Sequence, residues 1–357
     1  MANQIAWGFA NLTDVFARRV TQVGVDVVTA AIEASVAEHN RQMDALLRLF
    51  ARRTTKYKTR YRTPATARLQ PMDNAGRARP IRGGSKYDVA FPLQAGGAAW
   101  GQDYVTSVKM TVEEANDFTV ALLSADMRWM RDHILAALYA NASWTFNDEN
   151  DDIGSLTIKG LANADTDTYF VPTGADGMIT DQHYLAQAAA IADGTNPFPT
   201  IYTELKEHPE NSGEVLALVP TNLRASTEAL SLFRPVTDPN VRPGANTAIL
   251  VGDLGIAVPG EIYGYCEKVW LAEWRSLPDN YIIAVTANGE PPLGLREDEE
   301  TELQGFKLVA NRDDYPWYER QYLRRAGFAG WNRVGAVVQR VGNGVYAVPT
   351  NYSSPMP

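Results

Sequence analysis

The spacing of hydrophobic positions changes several times along this chain, and each change predicts a different element. Within residues 13–50, Val36, Met43, Leu46, Leu47 and Phe50 recur at three- and four-residue intervals, the period of a helix with one buried face. Gly24 and the β-branched-rich run from Val25 to Thr29 lower helix propensity, so a break is expected nearby. From Arg52 the period falls to two. Lys56, Lys58, Arg60 and Arg62 alternate with Tyr57, Thr59, Tyr61 and Thr63, which places the cations on one face of a strand. "PMDNAG" (71–76) reads as a turn, and "GGSKYDVAFPLQAGG" (83–97) as a second short strand closed by glycines. Leu69, Ile81, Val89 and Leu93 are nearly all the large aliphatic residues of this segment. Burial that small does not offset the entropy of ordering an extended hairpin. The segment is therefore expected to lie on something else, mainly other copies of the chain.

A helix over 111–141 carries the clearest pattern. Thr111 and Glu114 form a capping box, Glu113 adds acid to the first turn, and Leu123, Met127, Met130, Ile134 and Leu138 hold one face. Roughly 30 residues of helix span about 45 Å. The polar "NDENDDIG" (147–154) ends this region, and mixed α and β patterns follow. "SLTIKGL", "EVLALVP", "TAILVGDLGIAVPGEI", "KVWLAEW" and "NYIIAVTA" read as strands. "TDQHYLAQAAAIAD" (180–193), "TNLRASTEALSLF" and "YPWYERQYLRRAGF" (315–328) read as helices. "GAVVQRVGNGVYAVP" (335–349) reads as a terminal hairpin turning at "GNG". The fold class is α+β.

Charge sharpens the picture. Eleven Lys or Arg and a single acid, Asp73, fall between Arg52 and Lys86, in a chain whose net charge is -9. Outside that stretch 22 basic residues face 41 acidic ones. A basic patch so segregated binds either a polyanion or an acidic protein surface. The 45% hydrophobic content is that of a globular protein with a sizeable core. Cys266 is the single cysteine, which excludes an intrachain disulfide and fits a reducing cytoplasm. No secretory signal and no apolar run of membrane-spanning length are present, so no membrane partner is expected.

Catalytic and metal motifs are not visible. His39, His133, His183 and His208 are scattered, without a Cys or His at metal-ligand spacing, and read as structural or solvated. "NDENDDIG" lacks the glycine and closing glutamate of a calcium loop. No phosphate loop or nucleophile elbow occurs, and no cofactor is implied. Tyr315, Trp317, Tyr318, Tyr322, Phe328 and Trp331, interleaved with Arg320, Arg324 and Arg325, could clamp single-stranded nucleic acid. Their spacing favours helical core packing with arginines at the rim.

What the basic segment faces has two answers. Direct DNA binding lacks a recognition helix, a zinc finger or an aromatic sheet motif, and the acidic remainder would repel a duplex at low salt. An acidic patch on another copy is favoured. "REDEETE" (296–302), which holds Glu297, Asp298, Glu299 and Glu300, and "NDENDD" (147–152) are the candidates. The basic side would be Lys56, Lys58, Arg60, Arg62, Arg68, Arg77, Arg79 and Arg82. Such head-to-tail contacts close into rings when the rotation permits.

The order of parts is a helical arm, a Gly/Pro-rich extended hairpin, a long capped helix, a mixed lobe and a returning terminal strand. With "IKGLAN" (158–163) and "RRAGFAGWNRVGAVVQRVGNGVYAVP" (324–349) it resembles the major capsid protein of tailed bacteriophages, of the Hong Kong 97-type fold. The resemblance implies an N-terminal arm over 1–51 and an extended loop over 52–100. It implies a peripheral domain of 101–176 and 306–357 around a spine helix at 111–141, and an axial domain over 177–305. It further implies a non-enzymatic shell protein in the virion, assembled in the host cytoplasm as pentamers and hexamers around double-stranded DNA. Scaffolding and portal proteins would be its partners, with a decoration protein as a further candidate. Encapsulin-type nanocompartments share the fold but are usually shorter. A DNA-associated accessory protein using residues 52–86 is the reading from another class.

Overall fold

The computed structural model describes residues 8–9, 12–62, 71–72, 74–77, 86–148, 153–172, 178–236, 258–312 and 317–356. Gly24 divides the first helical region as its sequence predicts. α1 (Val20–Val23) stops there and α2 (Val25–Phe50) begins, because Gly24 adopts φ 109°, a conformation L side chains rarely take. α2 buries Val28, Ile32, Val36, Met43, Leu46, Leu47 and Phe50 along one stripe and runs directly into β1 (Ala51–Thr54). β2 (Lys58–Arg62), β3 (Lys86–Ala90) and β4 (Gln94–Asp103) come next, then the short α3 (Tyr104–Lys109).

α4 (Val112–Tyr139) has the capping box read from its sequence. The Glu114 N–H donates to Thr111 Oγ1, and the Thr111 N–H donates to Glu114 Oε2. Leu123, Met130, Ile134 and Leu138 are buried, so the apolar stripe is a core seam. β5 (Trp144–Asp148) pairs with β6 (Gly154–Ile158), and β7 (Tyr169–Phe170) with β8 (Met178–Ile179). Then come β9 (Tyr184–Gln187), α5 (Phe198–Lys206), β10 (Glu214–Val219), α6 (Thr221–Glu228) and β11 (Arg234–Pro235). β12 (Glu261–Cys266), β13 (Val269–Glu273), β14 (Tyr281–Ala287) and β15 (Leu293–Glu297) follow. β16 (Lys307–Arg312), β17 (Trp317–Gly330) and β18 (Ala336–Val341) complete the strands.

Among the described residues, a seven-stranded sheet runs β11-β12-β13-β10-β14-β18-β9. Its central strands are buried on both faces, and strand alternation sorts their side chains into two cores. Leu216, Leu218, Ile283 and Val285 face a core shared with the ends of α2 and α4. Val215, Ala217, Val219, Ile282 and Ala284 face Phe198, Ile201 and Leu205 of α5 and Leu223 of α6. The second sheet runs β1-β15-β17-β16, with β4 also on β17.

Four expectations change. Residues 180–193 are not a helix. Their alanines favour one locally, but Tyr184–Gln187 pairs in parallel with β18, and edge pairing in the large sheet prevails. Residues 315–328 are not helical either, since 317–330 form β17. Its buried positions alternate as Arg320, Tyr322, Arg324, Ala326 and Phe328, and two arginines on the inward face disguise the period of two. The terminal hairpin does not form. β18 has β14 on one side and β9 on the other, so neither edge is open to a returning strand. Finally, the hairpin region seats on its own chain. β1 pairs with β15, and β4 pairs along ten positions with β17, leaving β2 and β3 as the free-standing pair. Aromatics replace the missing aliphatics: Tyr61, Tyr87 and Phe91 are buried with Leu156, Ile158 and Tyr169. The strand expected over 247–262 falls mostly outside the described residues, which resume at 258.

Candidate functional site

Alternation in β2 does what its sequence implies. Tyr61 turns inward, stacks on Tyr87 at 5.1 Å between ring centroids and meets the edge of Trp331 at 5.5 Å. Lys58, Arg60 and Arg62 point the other way and are exposed, as is Lys56 in the preceding turn. The register sets Arg60 opposite Asp88 and Arg62 opposite Lys86. Arg60 Nε donates to Asp88 at 2.7 Å, and Lys58 Nζ lies 3.4 Å from the same carboxylate. The Arg60 hydrogen bond, assisted by Lys58, lowers the Asp88 pKa to about 2. Arg77 is exposed, and Arg68, Arg79 and Arg82 lie outside the described residues.

Beside this stem a groove of about 510 Å³ opens between the hairpin and β6, lined by Lys58, Arg60, Lys86 and Lys159. Its two acids are already engaged: Asp88 by the stem cations, and Asp167 by Lys159 Nζ at 2.6 Å. The surface is therefore net basic, with the cations displayed outward from a rigid aromatic base. It can receive anionic groups of a partner.

The acidic candidates divide. Glu297 is buried on β15 with Arg53 Nη1 at 3.5 Å, and Asp298 is buried against Arg325. Glu299 and Glu300 are exposed in the turn that follows. In the second cluster Asp148 is buried with Arg296 Nη1 at 2.6 Å, and 149–152 lie outside the described residues. Of the four acids singled out, two hold their own subunit together and two are free to meet another surface.

The buried ionic contacts have no signature in the sequence. Arg333 is buried on Asp165 and Asp167, with its guanidinium also donating to the carbonyls of Gly160 and Leu161. Arg324 is buried on Asp126. The histidines are not independent either, since His183 and His208 meet with their Nε2 atoms 3.3 Å apart. No local spacing announces pairs separated by scores or hundreds of residues.

Neither known protein families nor curated protein sequences give a match to this chain. Solved structures do. The whole chain superimposes on a chain from Mycobacterium phage Patience with a TM-score of 0.67 at 18% identity, covering 100% of this chain and 99% of that one. Looser overlaps link it to the capsid of the cyanophage P-SCSP1u (TM-score 0.47, 7% identity, 83% of this chain and 87% of that one). The capsid of Myoviridae phage XM1 overlaps similarly (TM-score 0.44, 8% identity, 82% and 89%). The mixed α/β fold is shared with the Mycobacterium phage Patience chain over its whole length. Among the described residues no helix is long and apolar enough to cross a membrane.

Proposed function

We propose that this chain is the major capsid protein of a tailed bacteriophage, a structural subunit that assembles with copies of itself into the shell around the double-stranded DNA genome. The observation that carries the proposal is the end-to-end match with the Mycobacterium phage Patience chain, which leaves almost no part of either chain outside the shared fold. In this reading the fold is of the Hong Kong 97 type. α4 is the spine helix, residues 1–51 the arm, 52–100 the extended loop, and 177–305 the axial domain. Pentamers and hexamers are the building units, formed with scaffolding and portal proteins, and the net negative charge keeps the inner wall from trapping DNA as it enters.

Within the shell, the exposed cations of the hairpin stem contact acid on a neighbouring subunit. Glu299 and Glu300 are the partners this reading favours, because Glu297 and Asp298 are occupied within their own chain. Purified protein, freed of nucleic acid, tests the proposal. Closed particles of megadalton mass in sedimentation and electron microscopy are expected. A monomer that never assembles, yet binds duplex DNA with a steep dependence on salt, refutes it and favours the accessory-protein reading.

A further inference from the structure

We infer that Asp181, His183, His208 and Glu207 form a binding site for a divalent transition metal, with zinc the best-matched ion. The site lies where the end of α5 meets the start of β9, with Tyr169 between His208 and Tyr87 of the hairpin, and it does not depend on the shell reading.

His183 Nδ1 is 2.8 Å from the Ala336 carbonyl, and His208 Nδ1 is 3.2 Å from the Phe170 carbonyl. A carbonyl only accepts, so each Nδ1 carries the proton. In the neutral ring that leaves each Nε2 with a lone pair. Both Nε2 atoms point at one oxygen, Asp181 Oδ2, at 2.9 and 2.7 Å, and stand 3.3 Å from each other. Two imidazole lone pairs and a carboxylate thus converge on one point. Acceptors so placed repel unless a cation joins them.

The dimensions suit zinc. Tetrahedral Zn–N bonds of about 2.0–2.1 Å put neighbouring ligand nitrogens about 3.3–3.4 Å apart, and the two Nε2 atoms are 3.3 Å apart. The Asp181 oxygen would need to back away by about half an ångström to complete the same edge length. Glu207 Oε1, 3.6 Å from His208 Nε2, is near enough to swing in as the fourth donor. The ligand atoms of Asp181, Glu204 and Glu207 also lie within 4.8 Å of one another. Among the described residues, no Lys or Arg forms an ion pair with any of these three carboxylates, so a dication would offset most of their charge. Backbone carbonyls on both Nδ1–H groups are the usual outer support of metal-binding histidines, fixing tautomer and ring orientation. The rings are fully buried, while the Glu207 side chain is 26% exposed and gives an ion its way in.

Such an ion would clamp α5 to the edge strand of the large sheet. His183 sits there firmly: its N–H donates to the Ala162 carbonyl, and its carbonyl accepts from the Val338 N–H.

The experiment uses the full chain, stripped with chelator and then titrated with zinc(II), or with cobalt(II) as a visible probe, above the ordinary imidazole titration range. About one metal per chain is expected to survive dialysis, with cobalt giving the strong visible absorption of a four-coordinate centre and the thermal midpoint rising on metal addition. Glu207→Gln changes a part-exposed residue, so this variant folds, and it should weaken binding by at least the ~10–100-fold typical for losing an outer-shell partner. His208→Gln should abolish retention. Absence of retained metal and of any thermal shift in the wild-type chain overturns the inference, and the cluster is then bridged by protons. Equal retention by the wild type and both variants also overturns it, by placing the metal elsewhere.

Discussion

Arg324 of β17 and Asp126 of α4 form a two-point ion pair, Nε to Oδ1 at 2.5 Å and Nη2 to Oδ2 at 2.7 Å, with both side chains almost wholly buried. His39 of α2 approaches the same carboxylate at 2.8 Å. The neighbouring Asn40 accepts from Arg324 and from the Phe306 N–H, and donates to the Phe306 carbonyl. One buried carboxylate therefore fixes two helices against a strand. Such a contact sets how the long helix lies on the sheet.

Asp126→Asn keeps the size of the side chain but leaves the Arg324 charge buried without its counter-ion. Removing one member of a buried pair costs about 3–5 kcal/mol. Denaturant unfolding of the variant should show a loss of that order. A loss below about 1 kcal/mol, the range of exposed pairs, would mean that water reaches Arg324.

Stability should also depend on acid. Burial acts to raise the pKa of Asp126, but the His39 hydrogen bond and the Arg324 charge and hydrogen bond outweigh it, so the folded value lies below the ordinary carboxylate value. A depressed folded pKa contributes stability that is complete above the unfolded value of about 3.9 and is lost as pH falls through the folded one. The thermal midpoint should thus hold from neutrality down to about pH 4 and drop below it. In Asp126→Asn this part of the drop should vanish, which a pH series of melting curves would reveal.

Tyr61→Ala removes the ring that stacks on its cross-strand partner Tyr87 and seats the basic hairpin against Trp331. Deleting a buried aromatic costs about 3–5 kcal/mol. Here the loss should appear locally, as protease cleavage near β2 and β3 under conditions where the two large sheets remain folded. Cleavage kinetics identical to wild type would place the anchor of the hairpin elsewhere.

Reversing Lys56, Lys58, Arg60 and Arg62 to Glu should prevent particle assembly at low salt while leaving the subunit folded, because the four side chains are exposed. Each exposed pair is worth only about 0–1 kcal/mol, but the effect repeats at every subunit contact. Adding Glu299→Lys and Glu300→Lys should restore assembly in part. Sedimentation of the three proteins over a salt series measures this, and normal assembly of the basic reversal would refute the self-contact.

The sequence alone determined the elements whose information is local. The capping box of Thr111 and Glu114 and the stripe through Met130 and Ile134 defined α4, because cap and stripe are written within a few residues of one another. Gly24 marked the break between α1 and α2 by its own backbone freedom. The alternation of Tyr61 against Lys58, Arg60 and Arg62 gave the hairpin its two faces. Tertiary structure decided the rest. Arg320 and Arg324 occupy inward positions of β17, and Arg324 can do so because Asp126, far away in the chain, neutralises it. No count of periodicity could foresee that partner. β18 gained no returning strand because β14 and β9 had taken both its edges. His183 and His208, unrelated by spacing, meet because α5 packs on the sheet whose edge is β9. Hydrogen bonds within a helix turn and side-chain alternation in a strand are set by neighbours in sequence. Buried charges, sheet edges and converging side chains are set by neighbours in space, and only the folded chain supplies those.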